Sequence, residues 1–380
     1  MADVFESIFG QPQVRQFLRA TVAGDKVSHA YLFTGPCGSN KTAAAYAFAQ
    51  TIVCRQHGCG SCDDCLRTVR RKHPDVHYFA PAGASGYLVE QIREIVSETA
   101  LTPIRAHKKV YLIDRVDLLG VQAANAFLKT LEEPPADVVL ILLGRTRESV
   151  LPTIVSRCQV VPFRHIPASE AAGILAQNTG ATLPQAKIAI QACNGSITRA
   201  IEFAKSTERK VFRSRILEIM AALSVADDGD VLGYANELLV GAKAPLDVVR
   251  AAQEAELAAS ADFLAKSALR QIEARNKRAL TAHSVESLNQ LGAIIRSWLR
   301  DVMMVCAGAP ELIINVDVIS SINDAAAATD APRTARALAA VECAHTAITY
   351  NVSPETCIDV MLFEIREALY GTDSADRVAV

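Results

Sequence analysis

Eight consecutive residues early in the chain have the composition of a loop that binds phosphate groups. They read Gly35-Pro36-Cys37-Gly38-Ser39-Asn40-Lys41-Thr42 and follow a short apolar run. In the pattern G-x-x-x-x-G-K-[ST], backbone N–H groups surround the phosphates, the lysine adds positive charge and the hydroxyl contacts Mg²⁺. Lys41 and Thr42 fit this pattern, but Asn40 stands where the second glycine is expected.

Asn40 decides how well such a loop can bind a nucleotide. Glycine is usual at this position because the backbone takes a conformation that a Cβ disfavours and lies close to the phosphates. Asn is the next most tolerant residue of a positive φ, so the loop can form, but its side chain projects toward the phosphate oxygens. We therefore expect weak or absent nucleotide binding, with a fully competent site as the alternative.

A carboxylate suited to a Mg²⁺–nucleotide site ends another apolar run, at Asp114. In nucleotide hydrolases a glutamate usually follows and polarises the attacking water, but here the next residue is Arg115, which cannot accept a proton. Loss of general-base catalysis lowers the rate by about 10²- to 10⁴-fold, so nucleotide hydrolysis should be nearly abolished. Asp117 is a conceivable substitute base, and helix capping is the alternative role of Asp114.

Four cysteines follow the spacing Cys54-x₄-Cys59-x₂-Cys62-x₂-Cys65. Tetrahedral Zn²⁺ takes four soft ligands that converge on one point, and overlapping C-x₂-C pairs supply them from a short loop. The pattern indicates a structural zinc site, because four protein ligands leave no open position for catalysis. Free thiols are the alternative reading, and His57 and His73 are reserve ligands if Cys54 points away.

Ser156-Arg157-Cys158 comes just before the last predicted strand. An exposed arginine is usually a solvated side chain and no more. At this edge of a nucleotide-binding domain, however, it can face a nucleotide on a neighbouring subunit. An arginine supplied in trans neutralises transition-state charge, an effect worth roughly 10³- to 10⁵-fold in rate.

Alternating strands and helices are predicted for the part of the chain that carries these groups. Strand-like runs occupy residues 30–33, 73–79, 110–113, 138–143 and 159–163, and helical patterns occupy 41–54, 88–100 and 123–131. The continuous apolar run 138–143 is typical of a strand buried on both faces of a parallel sheet. The pattern predicts an α/β domain.

Helical periodicity replaces the strand signals after Pro167. Residues 168–205 form a small helical part with a turn at Asn194-Gly195-Ser196. Longer helices are predicted at 211–223, 248–278, 284–306 and 332–350, and the tail 371–380 is expected to be frayed. This region has no evident catalytic motif.

The composition is that of a globular protein of two or three domains, with 380 residues, half of them hydrophobic, and a net charge of −2. The near-neutral charge argues against a general nucleic-acid-binding protein, and the basic runs 67–72 and 105–109 are more often solvated faces. The N-terminus lacks the features of a signal peptide, and no run reaches transmembrane length. We therefore expect a cytoplasmic protein whose ten cysteines bind metal or stay as buried thiols.

Taken in order, these motifs resemble the bacterial clamp-loader subunits of the AAA+ class over essentially the whole chain. The strongest matches are the segments 9–11, 29–36, 125–135 and 156–158, of which Asn-Ala-Phe-Leu-Lys-Thr-Leu-Glu-Glu-Pro-Pro at 125–135 is close to diagnostic. The resemblance implies an α/β AAA+ P-loop domain at 1–166 with a zinc insert at 54–65. A helical lid at 167–206 and an all-α collar domain at 207–380 would follow.

Two kinds of subunit share this layout: gamma/tau motors, which hydrolyse ATP, and delta-prime subunits, whose own site is typically degenerate. The sequence departs from the motor pattern at Asn40 and Arg115. It also departs at Thr198, which occupies the usual position of the motor's nucleotide-sensing arginine; here an arginine, Arg199, comes one place later. The fourth departure is at Thr146, where the motor has two consecutive threonines and this chain has one. Four departures in one site favour the delta-prime kind.

The resemblance assigns a role to each group of residues. A degenerate site for ATP and Mg²⁺ would consist of Gly35, Gly38, Asn40, Lys41, Thr42, Asp114 and Thr146, and structural Zn²⁺ would be held by Cys54, Cys59, Cys62 and Cys65. Arg157 would be an arginine finger for ATP on a neighbour. The implied partners are gamma/tau and delta subunits in a heteropentamer, with the sliding clamp and primer–template DNA reached through that complex.

Two other functions stay open at this point. The first is a motor subunit that hydrolyses its own ATP with Lys41, Thr42 and Asp114. The second is a zinc-dependent DNA-binding module that uses the basic residues beside Cys65; the near-neutral charge makes it the weaker of the two.

Overall fold

A computed structural model describes residues 3–81, 86–260, 266–350 and 352–371. The chain divides into two compact units. The first comprises Met1–Gly180 with Gly195–Arg199, and the second comprises Ala181–Asn194 with Ala200–Val380. Residues 167–206 thus contribute to both units, and the separation of a lid from a collar stays a prediction.

A five-stranded parallel sheet forms the centre of the first unit. Its strands are β1 (Ala30–Thr34), β2 (Val76–Phe79), β3 (Lys109–Ile113), β4 (Val138–Gly144) and β5 (Gln159–Pro162), in the order β2-β3-β4-β1-β5. All the pairings are parallel, with Ala30 opposite Leu140 and Lys109 opposite Val138. The segments that follow β1, β3 and β4 therefore leave the sheet at the same edge, where ligands bind in open α/β sheets.

Side chains alternate between the two faces of the sheet along each strand, and a hydrophobic cluster buries each face. Tyr31 and Phe33 belong to one hydrophobic cluster, and Ala30 and Leu32 belong to the other. Every residue of β1, β3 and β4 is buried. The α/β class with a parallel sheet is confirmed.

Helices pack against the sheet. Those of the first unit are α1 (Pro12–Ala23), α2 (Lys41–Val53), α3 (Asp63–Val69), α4 (Val89–Thr99), α5 (Val121–Glu132), α6 (Pro152–Val155) and α7 (Ala168–Thr179). Phe48 of α2 packs in the cluster of Tyr31, whereas Ile92 of α4 and Phe127 of α5 pack in the other. The predicted helices correspond to α2, α4 and α5, but α1 and α3 were not predicted.

No strand occurs among the described residues of the second unit. Its helices are α8 (Leu183–Ala192), α9 (Ile197–Lys205, whose first residues belong to the first unit), α10 (Thr207–Ala222), α11 (Asp228–Ser260), α12 (Lys266–Cys306), α13 (Ile319–Ala327), α14 (Ala331–Thr349) and α15 (Pro354–Tyr370). None of the helices in the described ranges is long and apolar enough to cross a membrane.

The predicted boundary between residues 278 and 284 is wrong. Helix α12 runs through it, because the intervening residues include neither glycine nor proline and so nothing there breaks a helix. The predicted helix 248–278 instead spans 261–265, which lie outside the described residues. The expected fraying of the tail also falls outside them, at 372–380.

Candidate functional site

The phosphate-binding motif forms the loop between β1 and α2. Gly35 is required there, since a Cβ would lie 2.6 Å from the carbonyl oxygen of Phe163. Gly38 has a φ of 78° and Asn40 a φ of 70°, so both adopt the left-handed conformation. Asn40 thus takes the backbone conformation for which glycine is usual, and Thr42 follows as the second residue of α2.

The side chain of Asn40 is engaged by protein groups at both ends of its amide. Its Nδ2 donates to the carbonyl oxygen of Ser7 at 3.0 Å, and its Oδ1 accepts from the Thr198 hydroxyl at 3.1 Å. All three residues belong to the first unit. Two of the positions that depart from the motor pattern, Asn40 and Thr198, therefore contact each other.

Lys41 points into its own loop. Its Nζ donates to the carbonyl oxygen of Gly35, to that of Pro36 at 2.9 Å, and to Ser39 Oγ at 3.4 Å. Burial lowers the pKa of Lys41, and the nearby Cys37, Asp114 and Asp117 offset only part of this effect. The ammonium group is thus satisfied by oxygen atoms of the loop.

Asp114 lies directly after β3, at the sheet edge where the phosphate loop begins. Its Oδ2 accepts from the Tyr78 hydroxyl at 2.7 Å, and its Oδ1 accepts from the backbone N–H of Arg115 at 2.9 Å. The Tyr87 hydroxyl lies 2.5 Å from the main-chain oxygen of Asp114 and 3.0 Å from that of Phe79, and these two acceptors share its one proton. Both carboxylate oxygens therefore have a protein donor.

Asp117 and Thr146, the other candidate residues after β3 and β4, both accept hydrogen bonds from backbone N–H groups. Asp117 Oδ1 accepts from the backbone N–H of Arg145 at 3.3 Å. The short 3₁₀ helix Val116–Leu118 begins after Arg115 and has no side-chain cap. Thr146 closes a local turn after β4, where its Oγ1 accepts from Ser149 N at 3.1 Å.

The four cysteines of the insert converge, as the spacing predicted. All four sulfur atoms lie within 4.8 Å of one another. Individual Sγ–Sγ distances are 3.6 Å for Cys54 and Cys62, 3.8 Å for Cys54 and Cys59, and 4.0 Å for Cys59 and Cys65. A tetrahedral ion with Zn–S bonds of about 2.3 Å separates its ligands by about 3.8 Å, so the cluster could hold such a metal ion.

Backbone donors support thiolates in this cluster. The N–H groups of Gln56, Cys62 and Cys65 donate to the sulfurs of Cys54, Cys59 and Cys62, at 3.3 to 3.4 Å. Hydrogen bonds from the backbones of Ser61 and Cys62 lower the pKa of Cys59 to about 6, whereas burial raises the pKa of Cys65. Thiolates are the form of cysteine that binds metals.

The two reserve histidines are not part of this cluster of four sulfurs among the residues described. His73 Nδ1 accepts from the backbone N–H of Asp75 at 3.0 Å, and its Nε2 lies 3.5 Å from Asp64 Oδ1. His57 has a φ of 54° in the turn after Cys54. Cys54, by contrast, is buried with its sulfur facing the other three.

Arg157 lies after α6, with 31% of its side chain exposed. Its Nε donates to Glu132 Oε1 at 2.7 Å, its Nη2 contacts the same oxygen, and its Nη1 donates to the carbonyl oxygen of Thr153 at 2.8 Å. Exposed ion pairs of this type are worth only about 0–1 kcal/mol, so the guanidinium can exchange partners.

Three residues that contact the predicted site were given no role from the sequence, although Gln11 lies in the matched segment 9–11. Tyr78 contacts Asp114, and Ser7 contacts Asn40. Gln11 donates through Nε2 to the carbonyl oxygen of Ser39 at 3.1 Å and joins the loop to Arg164. Tyr78 had one available signal: it lies near the end of the predicted strand 73–79, and that strand pairs with the strand of Asp114.

Several known proteins are similar to this chain. The DNA polymerase III subunit delta′ of Bacillus subtilis is 32% identical over 217 residues, which cover 56% of this chain and 65% of the relative. The tau subunit of the same organism is 36% identical over 173 residues, or 44% of this chain and 30% of the relative. A DNA polymerase III gamma-subunit-related protein of Thermotoga maritima aligns in structure over 94% of this chain and 99% of its own, with 16% identity and a TM-score of 0.42. The matched segments thus span less than two thirds of these two sequence relatives.

The parallel sheet, with the phosphate-loop motif after β1 and an aspartate after β3, has the arrangement of a P-loop α/β domain. Residues 10–167 match the family described as "DNA polymerase III, delta subunit". This match and the relatives together show that the first unit is similar to subunits of DNA polymerase III.

Proposed function

We propose that this chain is a largely non-hydrolysing subunit of a DNA polymerase III clamp loader, of the delta-prime kind. It would assemble with gamma/tau motor subunits and delta in a heteropentamer and help to load the sliding clamp onto primed DNA. Residues 167–206 would act as a lid and residues 207–380 as the collar through which the subunits join. The clamp and the primer–template DNA are reached through the complex.

The contact between Asn40 and Thr198 is the observation that carries this proposal. The motor pattern has a glycine and an arginine at these two positions, both of which serve the nucleotide phosphates. Here the two replacement side chains hydrogen-bond to each other. Arg115, in place of the water-polarising glutamate, lacks an acceptor for the proton of water. A site altered in this coordinated way favours a subunit without turnover over a motor.

Arg157 would supply the catalytic contribution of this subunit, to ATP on a neighbouring motor. Its guanidinium is partly exposed and is held by a single carboxylate, that of Glu132. A phosphate with developing negative charge is a stronger partner than an exposed carboxylate. Exchange of the Glu132 carboxylate for such a phosphate as the partner of the Arg157 guanidinium therefore costs little free energy.

Zn²⁺ is the ion that we propose for the cysteine cluster. Four thiolate sulfurs at tetrahedral spacing are the donor set of structural zinc sites. The metal would fix the loop between α2 and α3, and it would take no part in nucleotide chemistry because no coordination position is left open.

Turnover by the isolated chain, and then by the assembled complex, tests the proposal. We expect no ATP hydrolysis above the buffer blank from the purified chain, and a complex that co-elutes with gamma/tau and delta and hydrolyses ATP. Turnover by the isolated chain would instead support the motor alternative. Failure to co-elute with the other subunits would contradict the assembly role.

A further inference from the structure

We propose that Glu132 is the resting partner of Arg157, and that it withholds the guanidinium from phosphate groups until a neighbouring triphosphate displaces the carboxylate. The inference deepens the proposed function and rests on it in one respect, since it concerns the arginine that would serve ATP on a neighbour. A guanidinium carries five N–H groups. This chain itself occupies most of those of Arg157.

The donors of Arg157 are almost fully used within the chain. Nε donates to Glu132 Oε1 at 2.7 Å, and Nη2 donates to the same oxygen. Nη1 donates to the carbonyl oxygen of Thr153 at 2.8 Å and to Ser156 Oγ at 3.2 Å. In the contacts of the described residues, one N–H group of Nη2 is therefore all that remains.

Both edges of this guanidinium that could hold a phosphate are blocked. Bidentate recognition of a phosphate needs two parallel N–H groups on one edge. Glu132 covers the edge formed by Nε and Nη2, and Nη1 is turned away from the other edge toward Thr153 and Ser156. Displacement of Glu132 alone opens the first edge, while Thr153 and Ser156 keep the guanidinium anchored through Nη1.

Glu132 lies where its charge does not favour the helix that carries it. It is the last residue of α5, and a carboxylate there faces the negative end of the helix dipole. The pairing with Arg157 offsets this repulsion, and Arg157 in turn donates to a carbonyl oxygen of the short helix α6. Because 47% of the Glu132 side chain is exposed, the pair is weak enough to exchange with a competing anion.

Modification of the isolated chain with phenylglyoxal, a reagent selective for arginine, measures how well Glu132 shields Arg157. In Glu132→Gln we expect Arg157 to react about threefold faster than in the unmodified chain, because a neutral amide is a weaker acceptor. Mass spectrometry of the peptides gives the rate for each arginine. Glu170→Gln is the matched control, since it should accelerate the modification of its partner Arg164 and not that of Arg157. Equal Arg157 rates in Glu132→Gln and the unmodified chain would overturn the inference.

ATP hydrolysis by the complex reconstituted with gamma/tau and delta tests the consequence for a neighbour. With Glu132→Gln we expect kcat/KM for ATP to rise about threefold, whereas Glu170→Gln should leave it unchanged. The double variant Glu132→Gln with Arg157→Ala should hydrolyse ATP no faster than Arg157→Ala alone, because the gain passes through the guanidinium.

The failure of this inference differs from the failure of the proposed function. If Arg157→Ala impairs hydrolysis while Glu132→Gln leaves it unchanged or lowers it, the inference is overturned, since Glu132 would then not withhold the arginine. Unchanged hydrolysis with Arg157→Ala would instead contradict the proposed role of Arg157. The modification rates of the isolated chain would still decide whether Glu132 shields it.

Discussion

The cysteine cluster and the phosphate loop lie in the same α/β unit, yet their polar groups are arranged in opposite ways. The four sulfurs of the cluster face one another within 4.8 Å, with backbone donors around them. In the phosphate loop, Lys41 bonds loop carbonyls, Asn40 bonds Thr198, and Asp114 bonds Tyr78. A site is ready for a ligand when its donors converge with their bonding capacity free, and only the first region meets that condition.

The largest effect is expected from removing one of the four cysteines proposed to bind zinc. Cys65→Ser replaces a fully buried sulfur with a weaker donor, so bound zinc should fall from about one per chain to nearly none. Zinc binding is worth on the order of 10 kcal/mol in small zinc-dependent folds, so unfolding of the insert should occur under much milder conditions. Metal analysis and urea denaturation measure the two effects.

Cys343→Ser is the control, because Cys343 is exposed in the second unit. It should leave both the zinc content and the unfolding curve unchanged. Equal zinc content in Cys65→Ser and the unmodified chain would show that the cluster is not the metal site.

A smaller loss is expected from Asp75→Asn. Asp75 is buried, and its carboxylate accepts from the N–H groups of Ile104, Arg105 and Ala106, at 2.6 to 2.8 Å. Arg105 in turn contacts Asp63 and Asp64 of the cysteine insert. Removal of the charge should cost about 3 kcal/mol of the free energy of unfolding at neutral pH, as measured by urea denaturation.

The pH dependence of this loss follows from the Asp75 carboxyl. Burial raises its pKa, but the three N–H bonds outweigh burial, so the pKa is lowered overall. The stabilisation is therefore present above the unfolded-state pKa of about 3.9, and it is lost as pH falls through the lower folded value. Below neutral pH, the free energy of unfolding should fall less steeply with pH in Asp75→Asn than in the unmodified chain or in the exposed control Asp324→Asn. Equal slopes in all three proteins would contradict this assignment.

Asn40→Gly should have a modest effect of opposite sign. Glycine adopts the φ of 70° without strain and removes the side chain that bridges Ser7 and Thr198. We expect about tenfold tighter binding of a fluorescent ATP analogue, equivalent to about 1.4 kcal/mol. Thr198→Ala breaks only the Thr198 bond and should gain less. No gain in Asn40→Gly would mean that Asn40 is not what weakens the loop.

Most of the α/β unit could be predicted from the sequence because continuous apolar runs mark buried parallel strands. The cysteine cluster was equally accessible, since its four cysteines lie within one short segment. The contact between Asn40 and Thr198 was not, because 158 residues separate them in the chain. Tyr78 was missed for a related reason: its contact with Asp114 depends on strand order, which periodicity along one strand does not reveal.

Helix α12 shows the limit of periodicity in the second unit. Its amphipathic signal is weak, so the predicted helix ends fell where the signal faded and not where a helix-breaking residue stood. The absence of glycine and proline between residues 278 and 284 was the more reliable indicator.

Arg157 differs from the groups of the phosphate loop. In the described contacts, its side-chain partners are Ser156 and one exposed carboxylate, that of Glu132. The central claim is that the phosphate loop of this chain does not turn over ATP, whereas Arg157 serves the site of a neighbour. Arg164 provides a matched control, because it is another exposed arginine paired with a single glutamate, Glu170.

Steady-state ATP hydrolysis by the complex reconstituted with gamma/tau and delta tests that claim most directly. With Arg157→Ala we expect hydrolysis to fall at least about tenfold in an intact assembly, while Lys41→Ala and Arg164→Ala leave it within about twofold. Unchanged hydrolysis with Arg157→Ala, or a comparable loss with Lys41→Ala, would contradict the account.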